Sequence, residues 1–251
     1  MTTPARPLTI VTGGGRGIGA ATAVHLAGLG HDVVVGYLAD GEAAEGVAAA
    51  VRAAGARSVA VPGDVADEDD VDRLFAVAAG LGTVTGLVNN AGLTAHLGDL
   101  ADTPVAVLRR VVDVNLTGTL LCARRAAQVM STARGGSGGA IVNISSAAAT
   151  LGSPHEYVHY AAAKAGVEAL TTGLAKELAD QGVRVNAVAP GMVRTGIHAA
   201  AGDPDRLTRV LPRIPMGRAG EPDEIAPAVA WLLGGEAAYV TGACVRVAGG
   251  L

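Results

Sequence analysis

The chain is 251 residues long, half of them hydrophobic, and its formal net charge is −4 with both signs mixed along the sequence. This length suits a single α/β domain, residues 1–251, with a large core. No basic block predicts nucleic-acid binding, and no apolar run of about 18 residues predicts a membrane span. Because only 2% of the residues are aromatic, aliphatic side chains must build the core.

The N-terminus and the cysteines bear on localisation. Met1–Pro7 lacks the apolar stretch of a signal peptide. Cys122 and Cys244 have no metal-binding spacing, so we expect two reduced, buried thiols. Both observations predict a cytoplasmic protein.

Short β-branched or apolar runs alternate with longer helical stretches along the chain. The predicted strands lie near Leu8–Thr12, Asp32–Tyr37, Ser58–Val61, Gly86–Asn89, Ala140–Ser145, Arg184–Ala189 and Cys244–Val247. The predicted helices lie near Gly17–Leu29, Glu42–Ala54, Glu68–Ala79, Pro104–Ala133, Tyr157–Gln181 and Asp223–Leu233. Strict alternation of this kind predicts a doubly wound parallel sheet of about seven strands, with helices on both faces.

One long irregular stretch interrupts this alternation, between Pro190 and Pro222. Loops of this length are usually functional. Its glycines supply possible hinges, so we predict a lid over residues 192–221.

A glycine-rich turn, Thr12-Gly-Gly-Gly-Arg-Gly-Ile-Gly19, follows the first strand and opens the first helix. Glycines let the backbone turn sharply and approach a pyrophosphate, and the helix N-terminus offers free N–H groups. The spacing of Gly13, Gly17 and Gly19 is not that of the commonest dinucleotide fingerprint. The turn alone therefore leaves nucleotide binding open.

Tyr160 and Lys164 lie one helical turn apart on an Ala-rich segment. A free tyrosine titrates near ~10, and a cation about 4–6 Å away favours its phenolate form. This pair is therefore a candidate acid/base centre in which Lys164 lowers the pKa of Tyr160. The nearby Tyr157 has Ala161, not a cation, at the equivalent position.

Six short motifs occur in one order along the chain. They are Thr12–Gly19, Asn89-Asn90-Ala91-Gly92, Asn115, Ser146, Tyr160-x-x-x-Lys164 and Pro190-Gly191. With them the chain resembles the short-chain dehydrogenases/reductases over essentially its whole length, in the compact branch of 3-oxoacyl-carrier-protein reductases and glucose-dehydrogenase-like members. The resemblance implies a Rossmann-type fold and an NAD(P)(H)-dependent enzyme that interconverts a ketone or 3-oxo compound and a secondary alcohol.

The resemblance also implies which residues surround the cofactor. Those implied are Gly13, Arg16, Gly17, Ile18, Gly19, Tyr37, Asp64, Val65, Asn89, Ala91, Gly92, Tyr160, Lys164, Pro190, Gly191, Val193 and Thr195. Each group lies at the carboxyl end of a predicted strand, where open α/β sheets bind ligands.

The choice between NADP and NAD depends on the end of the second strand. An acidic residue there would repel a 2′-phosphate, but this chain has Tyr37 followed by Leu38. Arg16 could meet a 2′-phosphate, whereas Asp40 could meet ribose hydroxyls but more readily caps the next helix. We therefore favour NADP(H), with NAD(H) possible.

The resemblance implies a catalytic set of Asn115, Ser146, Tyr160 and Lys164. Ser146 is chosen over the adjacent Ser145, although its spacing to Tyr160 is one residue longer than is usual in the family. Ser146 and Tyr160 would bind a carbonyl, Tyr160 would deliver the proton, and Asn115 would hold a water linked to Lys164. Carbonyl reduction with NADPH is the favoured direction, and an NAD-dependent sugar or alcohol dehydrogenase is the alternative.

Two remote alternatives come from other classes of protein. His155-Glu-Tyr-Val-His159 matches a zinc-hydrolase signature, but Ser153-Pro154 would place His155 at the edge of the helix, so we predict no metal site. A catalytically silent dinucleotide-binding protein would lack Tyr160, Lys164 or Ser146, and all are present. The remaining expectations are a small carbonyl or alcohol substrate, free or carrier-bound, no nucleic-acid or membrane partner, and a homotetramer.

Overall fold

A seven-stranded parallel sheet forms the centre of the molecule. The computed structural model describes residues 6–197, 201–203 and 205–251. The strands are β1 Leu8–Val11, β2 Asp32–Tyr37, β3 Ser58–Pro62, β4 Val84–Asn89, β5 Gly139–Ile144, β6 Val183–Pro190 and β7 Cys244–Val247. Their order across the sheet is β3-β2-β1-β4-β5-β6-β7.

Helices connect successive strands and cover both faces of the sheet. Those described are α1 Gly17–Gly28, α2 Gly41–Ala53, α3 Glu68–Leu81, α4 Val105–Val112, α5 Gly118–Met130, α6 Ala148–Leu151, α7 Val158–Leu178, α8 Arg206–Val210 and α9 Pro222–Leu233. This architecture confirms the predicted Rossmann-type doubly wound sheet. The short helices α6 and α8 were not predicted from the sequence.

The strands are apolar in succession because both of their faces are covered. Along β2, Val33 and Val35 pack into one core cluster and Val34 packs into the other. Successive side chains of a strand point to opposite faces, so the two clusters lie on opposite sides of the sheet. The predicted N-terminal cap of α2 is confirmed, since the Asp40 carboxylate accepts a hydrogen bond from the backbone N–H of Ala43 at 3.0 Å.

The structure corrects three details of the sequence analysis. The helix predicted over 104–133 is divided into α4 and α5 by a π-helical turn, Asp113–Thr117. Helix α7 begins at Val158, one residue later than predicted. Cys122 is buried, but Cys244 is exposed because β7 is an edge strand.

The search for membrane-spanning segments gave a negative result. Within the described ranges, no helix combines the length and the hydropathy that crossing a bilayer requires.

Candidate active site

The carboxyl ends of the strands open into one large cleft of about 1310 Å³. Strands β2 and β4 lie on opposite sides of β1, so the chain changes direction there, at the point where open α/β sheets bind ligands. The volume exceeds the usual range of small-molecule pockets, roughly 300–1,000 Å³. Predicted site residues that line it are Gly13, Arg16, Gly17, Ile18, Tyr37, Asp64, Val65, Ala91, Gly92, Ser146, Tyr160, Lys164, Pro190, Gly191, Val193 and Thr195.

The glycine-rich turn leaves backbone open to a ligand at the start of α1. Gly13 and Gly17 have φ values of 60° and 54°, which favour glycine. Arg16, at the N-cap, makes no side-chain capping hydrogen bond, so the first N–H groups of α1 lack that partner in the part of the chain described. Free N–H groups and the helix dipole suit an anion, and the turn therefore fits the pyrophosphate of a dinucleotide.

Gly19 is buried behind this turn and does not line the cleft. A Cβ atom there would lie 2.4 Å from the carbonyl oxygen of Gly13 and 2.5 Å from Nδ2 of Asn90. These distances are far below van der Waals contact, so any side chain would push the turn apart. Gly19 therefore supports the turn from behind.

We expect Gly19→Ala to weaken dinucleotide binding by at least about 10-fold and to lower the free energy of unfolding by about 1–3 kcal/mol. Fluorescence titration with NADPH and thermal unfolding measure the two effects. Gly28→Ala is the matched control, because no described atom lies within 4 Å of a Cβ built at that position of the same helix. Wild-type affinity in Gly19→Ala would show that the turn tolerates the displacement.

Asn90, not Asn89, holds the glycine turn. Asn90 Nδ2 donates to the carbonyl oxygens of Thr12 and Gly13 at 3.0 and 2.9 Å. Asn89 was expected in the cleft, but it ends β4 with its side chain turned into the sheet, where Nδ2 donates to Asn143 Oδ1 at 2.9 Å. Successive side chains of a strand point to opposite faces, so Asn89 and Asn90 point in different directions. The alternation is visible in the sequence, but the motif alone does not express it.

The far end of the cleft contains Tyr37 and Asp64, which were expected near the adenosine. Asp64 Oδ2 lies 2.8 Å from Arg110 Nη2, so this carboxylate is already paired. Leu38, directly after β2, is 60% exposed and carries no charge. Arg16 is exposed on the same cleft.

Ser146, Tyr160 and Lys164 come together at the middle of the cleft. The Ser146 hydroxyl lies close enough to the Tyr160 hydroxyl to lower the pKa of this phenol. Lys164 Nζ lies 5.7 Å from the centre of the Tyr160 ring and donates to the carbonyl oxygen of Ile144 at 2.8 Å. Ser145 is directed elsewhere, because its hydroxyl donates to Glu168 at 2.8 Å. The geometry therefore favours Ser146 as the partner of Tyr160.

The pKa shifts of the two helix residues differ from expectation. Burial, followed by the neighbouring Tyr157, raises the pKa of Tyr160, and the nearby Ser146 hydroxyl lowers it. Burial also lowers the pKa of Lys164 to about 8. The pKa of Tyr160 is therefore not held low as expected from Lys164, because desolvation of the buried phenol dominates in this structure.

Asn115 lies in the π-helical turn, fully buried behind the cleft. Its Nδ2 donates to the carbonyl oxygens of Leu93 and Val111 at 2.7 and 2.8 Å. Its Oδ1 is buried without a hydrogen-bond partner among the described residues. A Cβ atom on Gly92 would lie 2.8 Å from this oxygen and 3.5 Å from Lys164 Nζ. The free acceptor and the ammonium thus face the same glycine.

Comparison with known proteins places this arrangement in a family. The model described as enoyl-(acyl carrier protein) reductase matches residues 13–251. A solved short-chain type dehydrogenase/reductase from Mycobacterium marinum superposes with a TM-score of 0.90 at 31% identity, over 97% of this chain and 94% of its own. The chain is a short-chain dehydrogenase/reductase.

Curated relatives of this short-chain dehydrogenase/reductase cover almost its full length. The uncharacterised oxidoreductase YgfF of Escherichia coli strain K12 is 45% identical over 97% of this chain and 99% of its own. The cis-4-hydroxycyclohexanecarboxylate dehydrogenase of Sinomonas cyclohexanicum is 43% identical, over 98% and 96%. A 3-oxoacyl-[acyl-carrier-protein] reductase of Synechocystis is 39% identical, over 100% and 99%. The chain is accordingly an oxidoreductase acting on CH–OH or C=O groups.

The histidines of the zinc-like motif are separated in this short-chain dehydrogenase/reductase. His155 precedes α7, has a φ of 61° and contacts Asp99 at 2.7 Å on the surface. His159 is buried in α7, and its Nε2 contacts the carbonyl oxygen of Ala95 at 3.0 Å. They do not share one helical turn, as the zinc signature requires. No cluster of three or more potential metal ligands occurs within the described residues.

The predicted lid forms one side of the cleft. A β-bridge between Val193 and Gly220 closes its base. Met192, just before this bridge, forms a small buried cluster with Val210 and Ile214, which anchors α8. Residues 198–200 and 204 of the predicted lid lie outside the described residues.

Proposed function

We propose that the protein is an NADPH-dependent carbonyl reductase that converts a ketone to a secondary alcohol, with Tyr160 as its acid/base residue. The observation that carries this proposal is that Ser146 and Tyr160 line one cleft with the buried Lys164, whose Nζ lies 5.7 Å from the centre of the Tyr160 ring. Two neighbouring hydroxyls can hydrogen-bond one carbonyl oxygen together.

The residues of the centre have distinct tasks in this proposal. Ser146 and Tyr160 bind the carbonyl oxygen, and Tyr160 gives its proton to the developing alkoxide. When bound, the dinucleotide supplies the hydride that reaches the carbonyl carbon. Lys164 renews the proton on Tyr160, which its low pKa favours near neutral pH. The free Oδ1 of Asn115 suits a water between Lys164 and the solvent.

The cofactor would occupy the cleft from the glycine turn to Pro190. The uncapped N-terminus of α1 would hold its pyrophosphate. Pro190, Gly191, Val193 and Thr195 line the same cleft as Tyr160 and would hold the nicotinamide end. We also propose that the segment 192–221 acts as the lid and that the enzyme is a cytoplasmic homotetramer.

NADP is proposed over NAD from the charges at the adenosine end. Asp40, the nearest acid after β2, is engaged as the cap of α2, and Leu38 is uncharged. Arg16 is therefore the charged group best placed to meet a 2′-phosphate.

We expect kcat/KM to be at least about 10-fold higher with NADPH than with NADH. Arg16→Gln should remove most of this difference by lowering the value for NADPH, with NADH changed less than about threefold. Steady-state kinetics with both cofactors measures the effect. A 10-fold preference for NADH in the wild type would support the NAD-dependent sugar or alcohol dehydrogenase instead.

A substrate panel tests the activity itself. Simple ketones, 3-oxoacyl thioesters and secondary alcohols are offered with either cofactor, and the absorbance of the reduced nicotinamide is followed. Relatives named for a hydroxycyclohexanecarboxylate and for 3-oxoacyl carrier protein support this choice of substrates. Lack of turnover across the whole panel, with cofactor binding intact, would favour a silent dinucleotide-binding protein.

A further inference from the structure

Arg206, the first residue of α8, is a buried arginine at the substrate end of the cleft. It is only 4% exposed, yet it lines the cleft together with Tyr157 and Tyr160. Its Nη2 donates to Glu156 Oε2 and to the Tyr157 hydroxyl, each at 2.6 Å. These contacts fix the guanidinium group and join α8 to the start of α7.

The other nitrogens of this guanidinium group lack partners. Nε and Nη1 are buried and make no hydrogen bond to any described residue. A guanidinium carries five N–H donors, and burying donors without acceptors costs free energy. Folding therefore buries a donor group, near the proposed reaction centre, that no side chain among the described residues satisfies.

The distance to the reaction centre is short. The guanidinium carbon lies 4.5 Å from the centre of the Tyr157 ring, and the Tyr157 and Tyr160 ring centres are 5.3 Å apart. Arg206 is therefore no more than about 10 Å from the centre of the Tyr160 ring. One small molecule can reach both groups.

We propose that Arg206 binds a carboxylate of the substrate, so that the preferred substrate is an oxo acid whose carboxylate is several bonds from the reacting carbonyl. This proposal rests on the proposed carbonyl reduction and adds its substrate class. Water does not reach Nε or Nη1 in this structure, so the carboxylate binds with a small shift of the segment that carries Arg206. Glu156 stays on Nη2 and holds the guanidinium in place.

The free donors of Arg206 favour an anion over a neutral acceptor. Arg209 and Arg213 also line the cleft, but Arg209 is already paired with Asp203. Asp205 adds a further carboxylate near Arg209, so the surrounding charges do not by themselves select an anion. The preference comes from Nε and Nη1 of Arg206, because hydrogen bonds from arginine to a carboxylate are among the strongest.

Three ketones with the same carbon chain test the proposal: 5-oxohexanoate, its methyl ester and 2-hexanone. We expect wild-type kcat/KM to be at least about 10-fold higher for 5-oxohexanoate than for either neutral ketone. Arg206→Gln should bring this ratio close to one, mainly through KM, and leave 2-hexanone within about threefold. Arg209→Gln is the matched control, since that guanidinium is already paired, and should keep the preference.

Thermal unfolding with hexanoate gives a readout independent of turnover. Hexanoate should raise the melting temperature of the wild type and of Arg209→Gln, but not that of Arg206→Gln. If the Gln variant does not fold, Arg206→Lys is measured in its place, because it keeps a cation beside Glu156 and loses the planar donor group.

Several results would overturn the proposal. They are equal kcat/KM for acid, ester and ketone in the wild type, equal losses for all three in the Arg206 variant, and no stabilisation by hexanoate. The failure of the proposed function is distinguishable. If hexanoate stabilises the protein through Arg206 but no ketone is turned over, the carboxylate site stands and carbonyl reduction is rejected. If ketones are turned over without preference for the acid, carbonyl reduction stands and the carboxylate site is rejected.

Discussion

Tyr160→Phe should lose turnover by at least about 100-fold, because the substitution removes one hydroxyl and the proton it would deliver. The loss should fall on kcat, since the group acts on the transition state more than on the bound ketone. Binding of NADPH should stay within about threefold of wild type, because the glycine turn lies at the other end of the cleft. Steady-state kinetics and fluorescence titration measure the two quantities.

Tyr157→Phe is the matched control for this experiment. Its ring lies 5.3 Å from that of Tyr160 in an edge-to-face contact, but its hydroxyl contacts Arg206 and not Ser146. We expect its kcat to remain within about 10-fold of wild type. Turnover above about a tenth of wild type in Tyr160→Phe, or a larger loss in Tyr157→Phe, would reassign the proton donor.

Lys164→Met should abolish most activity and yet stabilise the protein at neutral pH. Lys164 is 3% exposed, and burial lowers its pKa from 10.5 to about 8. At pH 7 the folded state therefore has to hold an ammonium group away from water. Removing it should raise the free energy of unfolding by on the order of 1–3 kcal/mol, after the lost hydrogen bond to Ile144 is subtracted. Activity should fall at least about 100-fold.

The stability difference between Lys164→Met and the wild type should decrease as the pH rises. Between about pH 8 and 10.5 the unfolded chain binds more protons at this position than the folded protein does. The destabilisation by Lys164 is thus complete below pH 8 and fades as the pH rises towards 10.5. Denaturant unfolding of both proteins at pH 7 and at about pH 10 should show the advantage of the variant shrinking.

Lys176→Met, on the exposed side of the same helix, is the control and should change stability by less than about 0.5 kcal/mol at either pH. If Lys164→Met is less stable than the wild type at pH 7, the hydrogen bond of the ammonium stabilises the folded protein by more than its burial destabilises it.

The sheet could be predicted because its signals are local. Runs such as Asp32–Tyr37 are β-branched and bounded by turn residues, so the observed strand has the predicted limits. The break between α4 and α5 could not be predicted in this way. It contains Asn115, whose side chain bonds to Leu93, a contact that the helical pattern of the surrounding sequence does not reveal.

The residues of the candidate site could be predicted where their spacing within one helix brings them together. Contacts between distant parts of the chain could not. Tyr160 and Lys164 meet because they are four residues apart on α7. The direction of their pKa shifts depends on burial by elements far along the chain, so it could not be predicted from the spacing of the two residues. Arg206 was missed for the same reason: its partners, Glu156 and Tyr157, are about 50 residues away.

The hydrogen bonds from Asn90 to the glycine turn affect how tightly a nucleotide can bind. Because Asn90 ties the loop after β1 to the end of β4, the peptide groups around Gly13 are ordered by folding. A ligand then meets a rigid cradle and loses little loop entropy on association. Affinity at this end of the molecule is thus set during folding, before any ligand binds.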